Sequence, residues 1–91
     1  MAEVTLYTTA WCFHCRRAKA LLDRRGVSYV EIDVDSDPRR EREMVERSGG
    51  RRTVPQIFIG QHHVGGADEL YELERRGELD GLLERAGRRG T

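Results

Sequence analysis

The sequence lacks the features that would direct it to a membrane or to a nucleic acid. No stretch approaches the roughly 18 consecutive apolar residues of a membrane-spanning helix, and the N-terminal residues lack the cationic start and apolar run of a signal peptide. The 16 basic and 16 acidic side chains cancel, so no net field attracts the chain to DNA, RNA or an anionic membrane. We therefore expect a cytoplasmic protein with no nucleic-acid or membrane partner.

Cysteine is also scarce, because Cys12 and Cys15 are the only two in the chain. A small secreted domain held together by disulfides would carry about four or more cysteines. A structural zinc site needs about four ligands, and the remaining candidates lack zinc-finger spacing. His14 lies between the cysteines, while His62 and His63 are adjacent. We therefore expect no bound metal and interpret the CxxC motif as a redox pair.

The length and the apolar pattern predict one α/β domain over residues 1–91, with a frayed tail at 88–91, since a chain this short buries a single core. Apolar residues alternate in two segments and recur at helical spacing between them. Val30, Ile32 and Val34 would face the same side of the second strand. The predicted elements of this half are a strand at residues 3–7, a helix at 13–25 and a strand at 27–34. Together they form a βαβ unit with a right-handed crossover.

The second half predicts a further helix, a hairpin and two helical pieces. The helix begins at Pro38, after an N-cap at Ser36 or Asp37. Two short strands follow, and the Gly-Gln pair at 60–61 between them favours a tight hairpin turn. The last helical segment is interrupted at Gly77. The predicted order of elements is therefore β-α-β-α-β-β-α-α.

The position of the cysteines predicts their chemistry. Cys12 stands at the start of the first helix, where unpaired backbone N–H groups and the positive end of the helix dipole stabilise a thiolate over a thiol. Residues three apart on a helix share a face, so Cys15 is close enough to form a disulfide with Cys12. We therefore assign Cys12 as the catalytic nucleophile and Cys15 as the resolving thiol. Trp11, directly before Cys12, is expected to pack and to shield the substrate.

Three segments together resemble the glutaredoxins: YTTAWCFHC, TVPQIFI and GGADEL, in this order and at this spacing. The resemblance covers nearly the whole chain and is to the dithiol, bacterial glutaredoxin-3-like class. It implies the thioredoxin fold, a four-stranded mixed sheet flanked by helices, with the CxxC motif at the N-terminus of the first long helix. It also implies a thiol–disulfide oxidoreductase that uses glutathione as co-substrate to reduce protein disulfides or protein–glutathione mixed disulfides.

The same resemblance implies a binding site for glutathione. Pro55 should follow a cis peptide bond, which would expose a backbone edge at Val54 for an extended peptide to pair with. The N-terminus of the helix after Gly66 should receive the γ-glutamyl end of glutathione, with its ammonium near Asp68. The glutathione-binding residues implied in this way are Thr9, Thr53, Val54, Pro55, Gly66, Ala67 and Asp68.

Some residues around the cysteines depart from the family's pattern. Phe13 and His14 replace the Pro-Tyr spacer that is common in the family, and we expect them to tune the activity. His14 could donate a hydrogen bond or a charge to the Cys12 thiolate and make the disulfide more oxidising, or it could be a solvated residue without effect. Thr9 stands where a lysine is usual, and Arg51, Arg52 or an arginine of the second helix could supply that charge.

Two other interpretations remain open. In an iron–sulfur carrier, Cys12 of two chains and two glutathiones would ligate a [2Fe–2S] cluster across a dimer, and Phe13 in place of proline is compatible with that role. A mycoredoxin-like or thioredoxin-like electron donor would instead use another low-molecular-weight thiol or a reductase. The main interpretation predicts a monomer whose partners are glutathione or another low-molecular-weight thiol and disulfide-containing or glutathionylated proteins.

Overall fold

The computed structural model describes residues 3–87, so the predicted frayed tail at 88–91 lies outside the described residues. Within them, strands and helices follow one another as the sequence pattern predicts. The elements are β1 (Val4–Thr8), α1 (Phe13–Arg24), β2 (Val30–Asp33), α2 (Pro38–Arg47), β3 (Gln56–Ile59), β4 (His62–Gly65), α3 (Ala67–Arg75) and α4 (Leu79–Gly87). The β-α-β-α-β-β-α-α order is confirmed.

The strands form a mixed sheet in the order β2-β1-β3-β4. β1 pairs with β2 in parallel, as a βαβ unit requires, whereas β1 with β3 and β3 with β4 are antiparallel. Gly60 and Gln61 separate β3 from β4, and Gly60 has the positive φ of 59° that a tight hairpin turn favours. The predicted four-stranded mixed sheet of the thioredoxin fold is confirmed.

Helices cover both faces of the sheet, and the two central strands, β1 and β3, are buried on both sides. On one face, Tyr7 and Phe58 pack against Met44 of α2. On the other face, the side chains of β1 and β3 join α1, α3 and α4 in a larger core. This larger core contains the buried residues Val4, Leu6, Ala18, Leu21, Leu22, Val27, Ile57, Ile59, Ala67, Leu70, Leu79 and Leu83. The loops at the ends of the central strands therefore start from buried, well-packed residues.

The second strand is shorter and less buried than predicted. β2 lies at the edge of the sheet and spans Val30–Asp33 instead of residues 27–34. Val30, expected to face the core, is 45% exposed, while Ile32 is partly buried and Val34 is buried just after the strand ends. An edge strand has a partner on one side only, so an alternation that would bury a central strand leaves part of this one in solvent.

The ends of the helices follow local capping signals. Asp37 is the N-cap of α2, where its carboxylate accepts a hydrogen bond from the Arg39 N–H at 3.0 Å, and Pro38 occupies the first turn. Gly77, with a φ of 71°, separates α3 from α4 as predicted. Within the part of the chain that the structure describes, no helix combines the length and the apolar character needed to cross a membrane.

Candidate active site

Cys12 is the N-cap of α1 and lies in the loop that follows β1. Its Sγ accepts a hydrogen bond from the Cys15 N–H at 3.1 Å, so the sulfur satisfies one of the unpaired amides at the start of the helix. The side chain is half-buried, and both cysteines are free thiols. A sulfur in this position meets the positive end of the helix dipole, which favours the negatively charged thiolate.

Cys15 lies one turn further into α1 and is only 1% exposed. Burial, followed by a hydrogen bond with Cys12, raises the pKa of the Cys15 thiol to about 12, against an opposing hydrogen bond with the Thr9 backbone. Cys15 therefore keeps its proton at neutral pH. The two thiols of the CxxC motif also differ in accessibility, because Cys12 is half-buried whereas Cys15 is buried.

The loop before β3 brings a backbone edge close to Cys12. The peptide bond between Val54 and Pro55 is cis, as predicted. The Cys12 thiol donates a long sulfur hydrogen bond to the Val54 carbonyl oxygen at 3.7 Å. Pro55 is buried and Val54 is half-buried. An extended peptide whose sulfur reached Cys12 would therefore run beside the backbone of residues 53–54.

The start of α3 faces this loop. Gly66 is the N-cap of α3, and the Glu69 carboxylate accepts a hydrogen bond from the Gly66 N–H. The N–H groups of Ala67 and Asp68, at the first two helical positions, have no acceptor within the helix because of its geometry. The Asp68 side chain is exposed. These two amides and the helix dipole can bind a carboxylate, and Asp68 can bind a cation.

A cleft between the loop and α3 brings together six of the seven residues predicted to bind glutathione. It is lined by His14, Arg51, Thr53, Val54, Pro55, Gly66, Ala67, Asp68 and Glu69. Arg51 in this lining is a cation of the kind expected to replace the family's lysine. The cleft therefore combines a backbone edge, a helix N-terminus and side chains of both charges.

Thr9 is the predicted residue that the structure places elsewhere. It lines a separate depression between α1 and the edge strand β2, beside Lys19 and Glu31. In that depression, Glu31 accepts hydrogen bonds from Lys19 Nζ at 2.9 Å and from Thr8 Oγ1 at 2.8 Å. Thr9 thus contributes its backbone to the environment of Cys15 and does not line the cleft.

Arg17 connects the spacer of the CxxC motif to α3. Its guanidinium lies 3.1 Å from His14 Nδ1 and 3.2 Å from Asp68 Oδ1. Because an arginine only donates hydrogen bonds, His14 Nδ1 must accept, and Nε2 is then the nitrogen that carries the ring's hydrogen. The guanidinium also lies over the ring of Tyr71, 4.9 Å from its centroid. The structure thus orients the His14 ring towards Arg17, and the effect of His14 on Cys12 stays a prediction.

The residues directly before and after Cys12 have large apolar side chains that are exposed to solvent. Trp11 is 88% exposed and Phe13 is 70% exposed. The expectation that Trp11 packs is therefore wrong, because the loop after β1 turns its side chain away from both cores. Together the two rings present an apolar surface on either side of Cys12.

Sequence reasoning missed Gln56 and Glu69. Gln56 is fully buried, and its Nε2 donates a hydrogen bond to the Thr53 carbonyl oxygen at 3.0 Å. The Glu69 carboxylate accepts a hydrogen bond from the Gly66 N–H. The sequence could have indicated this role, because an acidic residue three positions after an N-cap is a capping signal. No comparable signal marks Gln56, since a polar residue at the start of a strand does not indicate which backbone atom it binds.

Comparisons with known proteins agree with this fold. A family model described as glutaredoxin matches residues 4–64. Glutaredoxin 3 of Escherichia coli K12 is 52% identical over 84 residues, which cover 92% of this chain and 100% of that protein. The solution structure of glutaredoxin from Brucella melitensis has 53% identity and a TM-score of 0.81, covering 97% of this chain and 94% of that one.

A more distant match comes from a plant. The crystal structure of a buckwheat glutaredoxin–glutathione complex has 32% identity and a TM-score of 0.82, and the match covers 92% of this chain and 78% of that one. The similarity to all of these proteins therefore extends over most of the chain. The chain belongs to the glutaredoxin family and is a thiol–disulfide oxidoreductase.

Proposed function

We propose that this chain uses glutathione to reduce protein–glutathione mixed disulfides and protein disulfides, with Cys12 as the nucleophile and Cys15 as the resolving thiol. The observation that carries the proposal is the contrast between the two thiols. Cys12 is half-exposed at the positive end of α1, whereas Cys15 is buried and its pKa is raised to about 12. Of the two, Cys12 is the sulfur that can meet a substrate as a thiolate.

The exchange runs through a mixed disulfide. The Cys12 thiolate attacks the glutathione sulfur of a glutathionylated protein, the Cys12–glutathione bond forms, and the protein thiolate leaves and takes a proton from water. A second glutathione thiolate then attacks the glutathione sulfur, which releases glutathione disulfide and the Cys12 thiolate. With a protein disulfide, the Cys12 thiolate first attacks one protein sulfur, and the other protein sulfur leaves as a thiolate that takes a proton from water. The Cys15 sulfur then bonds to Cys12 Sγ as the Cys12–protein disulfide bond breaks, and the Cys15 proton passes to the departing second protein thiolate. Two glutathiones then reduce the Cys12–Cys15 disulfide.

Glutathione matches the cleft in its chemistry. Its peptide backbone would pair with Val54, and its γ-glutamyl carboxylate would accept hydrogen bonds from the amides of Ala67 and Asp68. Its ammonium would share or take over the Asp68 contact that Arg17 now makes at 3.2 Å. Arg51 would face the glycine carboxylate. The buckwheat relative, solved as a complex with glutathione, supports this assignment.

The protein substrate would approach over the apolar surface formed by Trp11 and Phe13, because these rings flank the sulfur that it must reach. The proposal includes a monomer that works in the cytoplasm, where glutathione keeps thiols reduced. A different low-molecular-weight thiol with a carboxylate would use the same helix amides as glutathione. The electron source therefore has to be tested directly.

The test measures turnover of a glutathionylated peptide with glutathione and glutathione reductase in Cys12→Ser and Cys15→Ser. We expect Cys12→Ser to abolish turnover, and Cys15→Ser to retain it while losing the reduction of protein disulfides. Equal loss in both variants would contradict the assigned roles. Thioredoxin reductase with NADPH replaces glutathione in a parallel assay. Turnover with that reductase and none with glutathione would rule out glutathione as the recycling thiol.

A second candidate function is that of a [2Fe–2S] carrier. Among residues 3–87, no group of three or more His, Cys, Asp and Glu side chains could hold a metal ion. A cluster would therefore need ligands from outside the chain, such as glutathione and Cys12 of a second copy. The apolar surface beside Cys12 favours this candidate, since a second copy could pack there. A coloured dimer after anaerobic purification, lost in Cys12→Ser, would support it, and a colourless monomer would exclude it.

A further inference from the structure

We propose that His63 is a positioning residue for the substrate edge, by which we mean the backbone of residues 53–54, and that it acts through the buried side chain of Gln56. His63 lies on β4, outside the lining of the cleft. The inference rests on the proposed function in one respect, the assumption that a peptide-like thiol pairs along this edge. The hydrogen bonds that connect His63, Gln56 and Thr53 do not depend on that assumption.

Gln56 connects the substrate edge to the sheet. Its side chain is fully buried at the start of β3. Its Nε2 donates a hydrogen bond to the Thr53 carbonyl oxygen at 3.0 Å and lies 3.2 Å from Thr53 Oγ1. Its Oε1 lies 2.7 Å from His63 Nε2. The amide therefore bridges Thr53 on one side and His63 on the other.

The acceptor on Thr53 fixes the direction of each hydrogen bond in this bridge. A carbonyl oxygen only accepts, so the NH₂ group of Gln56 must face Thr53 and its Oε1 must face His63. Because Oε1 also only accepts, His63 must carry a hydrogen on Nε2. Both the neutral ring with this tautomer and the protonated ring satisfy the requirement. The positioning role therefore does not depend on the charge of His63.

The imidazole of His63 is held in place by its neighbours. It stacks on Phe58, with ring centroids 4.8 Å apart and an interplanar angle of 25°. The guanidinium of Arg47, on α2, covers Phe58 with 4.1 Å to the ring centroid. Arg47 in turn donates a hydrogen bond to the Tyr7 hydroxyl at 2.8 Å. The ring is thus oriented towards Gln56 by stacking, independently of the hydrogen bond.

Loss of the donor on His63 would leave Gln56 Oε1 buried without a partner. A half-turn of the amide would not repair this loss, because it would place Oε1 against the Thr53 carbonyl oxygen. Gln56 would then be held on the Thr53 side alone. The substrate edge that it anchors includes the Val54 carbonyl oxygen, 3.7 Å from Cys12 Sγ. Substrate binding along the edge should suffer, while the reactivity of Cys12 should not.

The test compares His63→Phe and His63→Gln with the control His62→Phe. Phenylalanine keeps a ring that can stack on Phe58 but has no donor, whereas glutamine carries an amide donor in place of the imidazole N–H. His62 is the exposed neighbour on the same strand. We expect His63→Phe to raise the KM for a glutathionylated peptide roughly tenfold, with kcat within about twofold of the parent. His63→Gln and His62→Phe should stay near the parent values.

A second measurement needs no turnover and so separates this inference from the proposed function. The backbone amide NMR signals of Thr53 and Val54 should shift in His63→Phe but not in His62→Phe, while the rate of Cys12 alkylation stays unchanged. Gln56→Leu should give the same KM and NMR effects and serves as the test should His63→Phe fail to fold. The double variant should be no worse than either single one. Unchanged signals and KM in a folded variant, or additive losses, would overturn the proposal.

Discussion

Two sulfur atoms three residues apart on one helix have opposite environments. Cys12 Sγ caps the first turn of α1 and meets solvent, whereas Cys15 lies among core residues at 1% exposure. The two cysteines therefore differ in role. Cys12 can attack a substrate, whereas Cys15 keeps its proton until a mixed disulfide has formed on Cys12. The order of events in the exchange follows from this difference of one helical turn.

The first prediction concerns the accessibility of Cys15. Iodoacetamide should label the parent protein once at neutral pH, and it should label Cys12→Ser hardly at all, since burial is the largest cause of the raised pKa of Cys15. Labelling of Cys12→Ser should become rapid only as the pH approaches the raised Cys15 pKa of about 12. Intact-mass spectrometry over time measures the rate. Cys15→Ser should label as fast as the parent, and fast labelling of Cys12→Ser at neutral pH would contradict the prediction.

The second prediction concerns His14. His14→Tyr should lower the reduction potential of the Cys12–Cys15 disulfide, because a hydrogen bond from the imidazole to the Cys12 thiolate would stabilise the reduced form. His14 Nδ1 accepts a hydrogen bond from Arg17, so any hydrogen that the ring donates comes from Nε2. Equilibration with glutathione buffers measures the potential. The matched control is His62→Tyr, which should leave it unchanged, and an unchanged or higher potential in His14→Tyr would refute the role.

The residues that the sequence could predict are those whose role depends on local position. Cys12 is placed by the start of a helix, and the cleft residues by motifs that lie close together along the chain. The contact between Gln56 and His63 depends instead on the register between β3 and β4. That register pairs Phe58 with His63 and shifts between Ile57 and Phe58. A sequence pattern does not reveal such a shift, so the bridge to the substrate edge could not be predicted.

At the scale of the elements, the turn from β4 into α3 depends on Gly65. Its φ of 111° favours glycine, and an added Cβ would lie 2.7 Å from Glu69 Oε1 and 3.1 Å from Arg51 Nη1. Gly65→Ala should lower the free energy of unfolding by about 1–3 kcal/mol and displace the Glu69 carboxylate from the Gly66 N–H. Urea denaturation measures the loss.

A matched control for this turn is the next residue. Gly66→Ala should cost clearly less, because the φ of Gly66 is −94° and the nearest atom to its added Cβ, Glu69 Oε1, is 3.2 Å away. This value of φ is open to any residue, so the backbone adds no strain. Equal losses in the two variants would show that backbone strain at Gly65 does not matter.

Helices and turns with strong local signals could be predicted from the sequence to within a residue or two, whereas β2 could not. The apolar alternation continues over residues 27–34, but Val27 and Val34 lie in loops outside the strand and are buried in the two cores. The Val27 N–H donates to the Leu22 carbonyl oxygen at 3.0 Å and so completes the end of α1. A buried loop residue and a buried strand residue give the same pattern in a sequence.

At the scale of the whole molecule, the sheet separates an aliphatic core from a smaller one rich in titratable groups. On the α2 side, a hydrogen bond from Tyr7 lowers the pKa of Glu43 below its usual 4.5. Burial, followed by positive neighbours, lowers the pKa of His63 below its usual 6.5. The charged groups that act on His63 are Arg51, His62, Glu69 and Arg47. Part of the pH dependence of stability should therefore arise on this face.

Stability should fall in two steps as the pH is lowered. His63 has a lower pKa folded than unfolded, so its contribution is present above pH 6.5 and is lost as the pH falls through its folded value. Glu43 behaves likewise, with its contribution present above pH 4.5. Urea denaturation between about pH 8 and about pH 3 measures both steps. His63→Phe should lack the upper step and keep the lower one, and Glu43→Gln should weaken the lower step alone. An upper step that survives in His63→Phe would mean that another group causes it.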